Sequence, residues 1–280
     1  MRIVNLMENT STNSFLCEHG LSIYIETNHH KLLVDTGQSN KTWKNAMNLG
    51  IDLSSIDTIF LSHGHYDHAG GILSFIERNP LVTLYMHKNA ILDYYSIRNT
   101  EYTYIGIDSK IKDYKNIHYI HSDTILDDEI SIFTHVTERL LWPYSNKRLK
   151  KKIGNEYIQD TFDHEIYIVI HNKGKDYLIS GCAHNGILNI IHRYQQIYHK
   201  DPDVIISGFH MVRKEYSKKD IEMIKETAYE LNKMNTIFYT GHCTGLEPYG
   251  IMKEILKEKI QYMHAGDILV EDDYEEDSDI

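Results

Sequence analysis

Residues 61–71, LSHGHYDHAGG, place four side chains that can bind metal ions within six residues. These side chains are His63, His65, Asp67 and His68. Imidazole nitrogen suits zinc, iron and manganese, whereas carboxylate oxygen suits harder cations. On a tight loop the four groups cannot all reach one ion, so we expect two metal positions, roughly 3.5–4 Å apart. The plainer interpretation is a polar loop that caps a helix, and such close clustering of ligand types disfavours it.

Two histidines further along the chain are candidates for the remaining ligands. His184 and His242 each follow a predicted strand and sit near a glycine, Gly181 or Gly241. Strand ends are where α/β-type sheets present functional groups, and glycine allows the backbone to bend sharply there. The sequence therefore predicts two ligand sets: His63, His65 and His184 for one ion, and Asp67, His68 and His242 for the other.

The elements that position these residues read as two halves, each with strands followed by helices. Strands are predicted at 2–6, 21–26, 31–34, 56–61, 81–87, 165–171, 176–180, 204–207, 236–239 and 267–270. Helices are predicted at 42–49, 72–78, 187–198, from Ser217 to about Lys233, and 248–257. Ser217 and Asp220 have the spacing of a capping box. Two such halves would pack as a four-layer αββα sandwich of the α+β class.

Residues 1–270 are interpreted as a single domain that carries an elaboration at about 93–160. This middle region is rich in tyrosine and contains a basic run from Lys147 to Lys152. This region is either a lid over the site or an ordinary surface subdomain. The sequence favours neither interpretation, because long insertions are either functional or merely tolerated. Residues 271–280 are strongly acidic and are predicted to form a solvated tail.

Composition excludes several classes of partner. The formal net charge of −11 over 280 residues disfavours a nucleic-acid groove, which needs a basic surface. No stretch approaches the ~20 apolar residues of a membrane span, and the N-terminal residues lack the apolar run of a signal peptide. The three cysteines are an odd number and do not indicate a disulfide framework, which fits a reducing compartment. We therefore predict a cytoplasmic protein with neither nucleic-acid nor membrane partners.

Motifs beyond the histidine cluster indicate a family. Residues 32–39 (LLVDTGQS) and 61–71 resemble signatures of the metallo-β-lactamase superfamily. Residues 180–191 (SGCAHNGILNII), 207–211 (SGFHM) and 240–245 (TGHCTG) resemble one branch. Its members are labelled 7,8-dihydropterin-6-methyl-4-(β-D-ribofuranosyl)aminobenzene-5′-phosphate synthase-like metal-dependent hydrolases. The resemblance covers nearly the whole chain and is weakest at 93–160. It implies the αββα fold, and it implies that Asp35 orders the metal loop through hydrogen bonds.

The chain departs from the superfamily pattern at Cys182, where a bridging aspartate usually follows a glycine. An isolated histidine ligand of that pattern would fall near His164 or Glu165, so His184 is interpreted as its replacement. Cys182 either bridges the metals or packs as a buried small hydrophobe, and we favour packing or support of the ligands. His210 and Glu165 are interpreted as residues that support the ligands or face the substrate.

These features predict a metal-dependent hydrolase that acts on a small ester, phosphoester or lactone. Two divalent transition-metal ions, zinc first and iron or manganese as alternatives, would generate hydroxide near neutral pH. Asp67 would bind metal and orient that hydroxide. The branch label implies an alternative, a synthase acting on a phosphoribosyl substrate in pterin cofactor synthesis. A non-catalytic metal- or ligand-binding regulator is a third interpretation. The tyrosines and the basic run favour an aromatic, phosphorylated substrate.

Overall fold

The computed structural model describes residues 1–12 and 14–271. The predicted acidic tail, apart from Glu271, lies outside the described residues. The strands are β1 (Arg2–Met7), β2 (Ser22–Glu26), β3 (Lys31–Val34), β4 (Thr58–Leu61), β5 (Thr83–His87), β6 (Tyr94–Arg98), β7 (Glu101–Tyr104), β8 (Ile117–Ile120), β9 (Thr124–Ile125), β10 (Ile130–Phe133), β11 (Leu149–Ile153), β12 (Glu156–Gln159), β13 (Tyr167–Asn172), β14 (Lys175–Ile179), β15 (Val204–Ile206), β16 (Ile237–Thr240), β17 (Ile260–Tyr262) and β18 (Ile268–Glu271). The helices are α1 (Lys41–Asn48), α2 (Tyr66–Ala69), α3 (Ile72–Arg78), α4 (Ile187–Tyr198), α5 (Lys218–Asn232) and α6 (Leu246–Leu256).

Two seven-stranded sheets form the centre of the fold. The first has the order β18-β1-β2-β3-β4-β5-β8, and the second has the order β17-β16-β15-β14-β13-β10-β9. In each sheet four neighbouring strands are parallel: β3, β4, β5 and β8 in the first, and β14, β15, β16 and β17 in the second. Parallel strands expose their carboxyl ends at one edge of the sheet, which is where loops can collect functional groups.

Three layers of apolar contact hold the sandwich together. Between the sheets lie buried side chains such as Ile23, Phe60 and Ile168. The outer face of the first sheet packs against α1 and α3, and that of the second packs against α4, α5 and α6. Strands covered on both faces read as near-continuous apolar runs, as in TIFL of β4. The predicted four-layer αββα sandwich is confirmed.

Element boundaries agree closely with the patterns in the sequence. The predicted limits of α3 and α4 are those observed, and Ser217 and Asp220 form the predicted capping box at the start of α5. Helix α6 begins two residues before Pro248, which lies in the first turn where its missing N–H is not needed. Within the described part of the chain, no helix is long and apolar enough to cross a membrane.

The middle region, predicted as an elaboration at about 93–160, contributes strands to all three sheets. Strands β12, β11, β6 and β7 do form an additional four-stranded sheet. However, β8 lies at the edge of the first central sheet, and β9 and β10 complete the second. These three strands are two to four residues long, which is too short for hydrophobic periodicity to identify them.

Candidate metal centre

The candidate ligands gather where the carboxyl ends of parallel strands from both sheets meet. Asp35 follows β3 and His63 follows β4 in the first sheet. Cys182, His210 and His242 follow β14, β15 and β16 in the second sheet. Among these, Asp35, His210 and His242 have positive φ angles of 62°, 50° and 49°. Left-handed backbone is costly for residues other than glycine and clusters at functional sites, so the fold holds these loops under constraint.

A single helical turn divides the four clustered ligand candidates. His63 and His65 precede α2, whereas Asp67 and His68 lie within it. The backbone approaches closely at Gly64, where a Cβ atom would lie 2.3 Å from the carbonyl oxygen of Ala90. The sequence did not predict α2, because four residues are too few to show a helical period. The turn directs the two pairs of side chains to different positions.

The first predicted ligand set is brought together with its Nε2 atoms free. The ring centroids of His63, His65 and His184 lie 4.6–4.9 Å apart. All three Nε2 atoms are buried, and none has a hydrogen-bond partner among the described residues. Buried imidazole nitrogens without partners are costly, so such a group fits a cation that accepts their lone pairs.

Hydrogen bonds on the opposite ring nitrogens orient two of these imidazoles. His63 Nδ1 lies 2.9 Å from Ser62 Oγ, and His184 Nδ1 lies 3.0 Å from Asn146 Oδ1. Because the Asn146 oxygen only accepts, His184 carries its proton on Nδ1 and leaves Nε2 with a lone pair. Support of this kind on the outer nitrogen is characteristic of metal-binding histidines.

The second predicted ligand set is equally compact. His68 Nε2 lies 3.2 Å from His242 Nε2, and Asp67 Oδ2 lies 3.3 Å from His242 Nε2 and 3.7 Å from His68 Nε2. His242 Nδ1 donates to Asn9 Oδ1 at 2.8 Å, which again directs Nε2 toward the cluster. His19 Nε2 also lies 3.2 Å from Asp67 Oδ2. The three ligand candidates therefore surround one position.

Asp35 connects the two halves of the metal loop. Its carboxylate accepts hydrogen bonds from the Ser62 backbone N–H at 2.8 Å, from the Ser62 hydroxyl at 2.7 Å and from His68 Nδ1 at 2.6 Å. Because the Ser62 hydroxyl donates to Asp35, the same oxygen is left to accept from His63 Nδ1. One buried carboxylate thus orients a histidine from each ligand set, which is the kind of ordering that the resemblance implied for Asp35.

Cys182 lies between the two sets. Its Sγ atom is 3.2 Å from His68 Nε2. It also forms one compact group of potential ligand atoms with His63 and His184, and another with His68 and His242, each within 4.8 Å. The preceding Gly181 is needed for close packing, because a Cβ there would lie 2.2 Å from Ser62 Oγ. The sequence favoured packing for Cys182, whereas this central position favours the alternative that it is a shared ligand.

Glu165 and His164 support the site without facing its centre. Glu165 accepts from the backbone N–H groups of His184 and Asn185 at 2.7 Å and 2.9 Å, and so fixes the loop that carries His184. His164 Nδ1 accepts from the Gly64 N–H at 2.9 Å, and its Nε2 lies 3.2 Å from Asp160 Oδ2. Both ring nitrogens of His164 are therefore occupied, which disfavours a ligand role.

The family model described as the metallo-beta-lactamase superfamily matches residues 17–143. Tm1679, titled a metal-dependent hydrolase of the beta-lactamase superfamily, is 28% identical with a TM-score of 0.79, and the alignment covers 98% of this chain and 100% of that one. Residues 17–143 of the chain therefore form a metallo-β-lactamase superfamily domain. Bacillus subtilis YhfI, 12% identical with a TM-score of 0.58 over 95% of this chain and 97% of that one, shares the fold.

Two curated relatives come from Methanocaldococcus jannaschii. An uncharacterised protein is 27% identical, and the alignment covers 94% of this chain and 98% of the relative. The second is named 7,8-dihydropterin-6-methyl-4-(β-D-ribofuranosyl)-aminobenzene-5′-phosphate synthase and is 28% identical, with 91% of this chain and 90% of the relative covered. The chain is therefore similar along almost its whole length both to a protein described as a hydrolase and to one named a synthase.

The electrostatics of the cluster suit metal binding. Burial and the neighbouring histidines lower the pKa values of His63 and His184, and burial with His164 lowers the pKa of His65 to about 3. These imidazoles are neutral near pH 7, which is the form that binds metal. Burial also opposes charge on His68, but the carboxylates of Asp35 and Asp67 raise its pKa to about 9. The surroundings of His68 thus favour a positive charge, whether a proton or a metal ion.

A pocket of about 90 Å³ opens beside the cluster. His210 lines it, and both ring nitrogens of His210 are buried without partners among the described residues. Residues of β6 and β11, including Ser96, Arg98 and Leu149, also line this pocket, so the additional sheet contributes to the site. Of the basic run, Arg148 lines the pocket, while Lys150 and Lys151 bind Gln159 and Asp163.

Sequence reasoning missed three residues that contact the predicted ligands. His19 lies beside Asp67, Asn146 holds His184, and Ser62 connects His63 with Asp35. His19 stands in an irregular segment and Asn146 in the poorly patterned middle region, so neither carries a positional signal. Ser62 directly precedes the first histidine, and that adjacency was the one available indication.

Proposed function

We propose that this metallo-β-lactamase homologue is a two-metal hydrolase acting on a small ester, phosphoester or lactone. One observation carries the proposal: the buried Nε2 atoms of His63, His65 and His184 converge without partners. A purely structural role would require those nitrogens to be hydrogen-bonded, as buried polar groups normally are. The family match and the similarity to Tm1679, which is described as a metal-dependent hydrolase, support the general class of metal-dependent hydrolase.

The proposed ligands divide into two sets that share one thiolate. His63, His65 and His184 would hold one ion, and Asp67, His68 and His242 the other. Cys182 would contribute Sγ to both, because its sulfur belongs to a compact group with members of each set. Nitrogen together with thiolate sulfur favours zinc, with iron as the main alternative. A thiolate would take the bridging position that the superfamily pattern usually gives to aspartate.

Bound ions of this kind supply a nucleophilic water near neutral pH and polarise the group attacked. Burial raises the pKa of Asp67, but the neighbouring histidines outweigh it and hold that pKa well below its usual value. Asp67 therefore stays ionised and orients the attacking water by accepting a hydrogen bond, rather than storing the proton. His210, with its two free nitrogens, would donate to the substrate from the pocket wall.

A second candidate is the synthase chemistry named for one Methanocaldococcus jannaschii relative. The observation in its favour is the alignment, which covers 91% of this chain and 90% of that relative. The same ligands would serve it, with the ions activating a phosphoribosyl or aminobenzoate substrate instead of water. A non-catalytic regulator, the third interpretation of the sequence, would use the site for binding alone.

Metal analysis combined with turnover tests the proposal. The metal-loaded protein should hold up to two transition-metal ions and hydrolyse a generic phosphodiester or lactone. His171→Ala is the matched control, because both ring nitrogens of His171 are hydrogen-bonded elsewhere in the fold. Folded protein that binds no metal would refute the two-metal proposal. Metal-loaded protein without hydrolysis of any ester, phosphoester or lactone would favour the synthase or the regulator.

A further inference from the structure

Two arginines at the pocket beside the metal centre lack partners. Arg98 ends β6 and Arg148 immediately precedes β11, and both line the pocket. Neither guanidinium makes an ion pair, hydrogen bond or ring contact with any described residue. Asp67 is the only carboxylate among the described residues that line this pocket, and it is already surrounded by histidines.

The other arginines of the chain show that this is unusual. Arg2, Arg193 and Arg213 pair with carboxylates. Arg78 lies over the ring of Trp43, and Arg139 donates to backbone carbonyls. In a chain with a formal net charge of −11, acidic partners are plentiful. Arg98 and Arg148 are exposed to solvent, and both line the pocket, so their unpaired positive charges are available to a ligand there.

The strand geometry also places the hydroxyl group of Ser96 at this pocket. Side chains alternate along β6, so Ser96 and Arg98 share a face. Ser96 pairs across the sheet with Leu149, the residue after Arg148. The Ser96 side chain is only 4% exposed, and its hydroxyl has no hydrogen-bond partner among the described residues. A buried hydroxyl without a partner, at a pocket that also carries two free guanidinium groups, indicates a ligand with several acceptor oxygens.

We propose that Arg98, Arg148 and Ser96 form a phosphate-binding subsite, and that the substrate of the metal centre is a phosphorylated small molecule. Guanidinium groups bind phosphate oxygens in a bidentate manner, and a serine hydroxyl donates to a third oxygen. The pocket volume of about 90 Å³ equals roughly three water molecules, which suits a phosphate group. Partial burial together with the charges of Arg98 and Arg213 lowers the pKa of Arg148, consistent with two cations held close together. This inference rests on the proposed function.

Calorimetric titration of inorganic phosphate into the metal-loaded protein tests the subsite. Arg98→Met and Arg148→Met should each weaken phosphate binding about ten- to hundredfold, because each removes a charge-assisted bidentate contact. Arg98→Lys should recover part of the loss, since lysine keeps the charge but not the fork. Ser96→Ala should cost less, about three- to tenfold. Lys225→Met, which removes an exposed charge from α5, is the control and should leave phosphate affinity unchanged.

Two results would overturn the subsite. Wild-type protein that binds no phosphate at millimolar concentration would do so. So would arginine variants that bind phosphate as tightly as Lys225→Met, because the anion would then sit on the metals alone. Metal content measured on the same samples separates this failure from failure of the two-metal proposal. Phosphate binding that depends on the arginines in a protein without hydrolytic turnover would retain the subsite and reject the hydrolase.

Discussion

Two polar clusters among the described residues can be compared, one with buried histidines and one with a partly exposed histidine, and they differ in what the histidine ring nitrogens contact. In the metal centre, the Nε2 atoms of His63, His65 and His184 face one another without partners among the described residues. In the second cluster, between β10, β13 and β14, His171 Nε2 lies 2.8 Å from Ser131 Oγ and His171 Nδ1 lies 2.8 Å from Asp176 Oδ1. The second cluster is complete without any ligand.

The comparison shows that a serine, a histidine and an aspartate in hydrogen-bond order do not by themselves indicate catalysis. Ser131 is buried within a strand, and its hydroxyl is also 2.6 Å from the Tyr198 hydroxyl. Asp176 additionally accepts from Tyr194 and pairs with Lys200 at 3.1 Å. Every member is held by the fold, so the array connects strands to α4 and stabilises them. Unused hydrogen-bonding capacity, rather than residue type, distinguishes the site.

Loss of a proposed ligand should have the largest effect. His63→Ala should lower the occupancy of one metal position far more than that of the other. The loss of metal affinity should exceed the roughly 10- to 100-fold loss that is typical when a hydrogen-bond partner of a ligand is removed. Elemental analysis and chelator competition would measure it. His171→Ala, a change at a partly exposed histidine whose two ring nitrogens are both hydrogen-bonded, should retain both ions. Equal metal content in the two variants would contradict the proposal that only the first cluster binds metal.

Removal of the Cys182 sulfur should have the second-largest effect. If Cys182 bridges the ions, cobalt-substituted protein should show thiolate charge-transfer absorption that disappears in Cys182→Ser, with severe loss of metal affinity. Cys243→Ser is the matched control, since Cys243 is also buried and its Sγ lies 3.5 Å from the Cys182 carbonyl oxygen. A band that survives in Cys182→Ser would return this cysteine to the packing role that its sequence context favoured.

Asp35→Asn should cost about 10- to 100-fold in metal affinity, because the amide replaces one acceptor oxygen with an NH2 group and cannot accept all three hydrogen bonds from Ser62 and His68. Asp176→Asn offers the comparison, since that carboxylate orients a histidine that no metal requires. Metal competition assays on the two variants should differ by at least tenfold. Matching affinities would mean that the hydrogen bonds of Asp35 serve only the fold.

The smallest effect should be a pH-dependent loss of stability that involves Asp176, in the cluster with Ser131 and His171. Burial alone would raise the pKa of Asp176, but hydrogen bonds from His171, Tyr194 and Lys200 lower it from 3.8 to about 2. The charged carboxylate therefore stabilises the folded state fully above pH 3.8, and this contribution is lost as the pH falls through about 2.

Urea unfolding at pH 7 and pH 3 would measure this effect. Asp176→Asn should be less stable than the wild type at pH 7, by about 1–3 kcal/mol. The difference should narrow at pH 3, because the unfolded wild-type chain then binds a proton that the folded chain does not. A constant difference between the two pH values would contradict the lowered pKa.

Much of the architecture could be predicted from local pattern. Apolar runs such as residues 58–61 can be buried only as strands or short helices, and their alternation with amphipathic segments predicted the αββα sandwich that the structure confirms. The capping box at Ser217 and the limits of α3 and α4 depend on neighbouring residues alone. Strands β8, β9 and β17 could not be predicted, because pairing across a sheet rather than local propensity stabilises such short segments.

The sequence by itself determined the chemical types at the site, because four ligand-bearing residues within one short loop are visible without a fold. His184 and His242 could be predicted from their places after strands, but only the tertiary structure decided that Cys182 lies between the two ligand sets. The ends of β14 and β16 bring Cys182, His184 and His242 to the loop. The register of β6 with β11 pairs Ser96 with Leu149, and Arg98 and Arg148 line the same pocket. Side-chain direction at a strand end depends on how the sheets pack and how the backbone turns. Neither can be predicted from the neighbouring residues in the sequence.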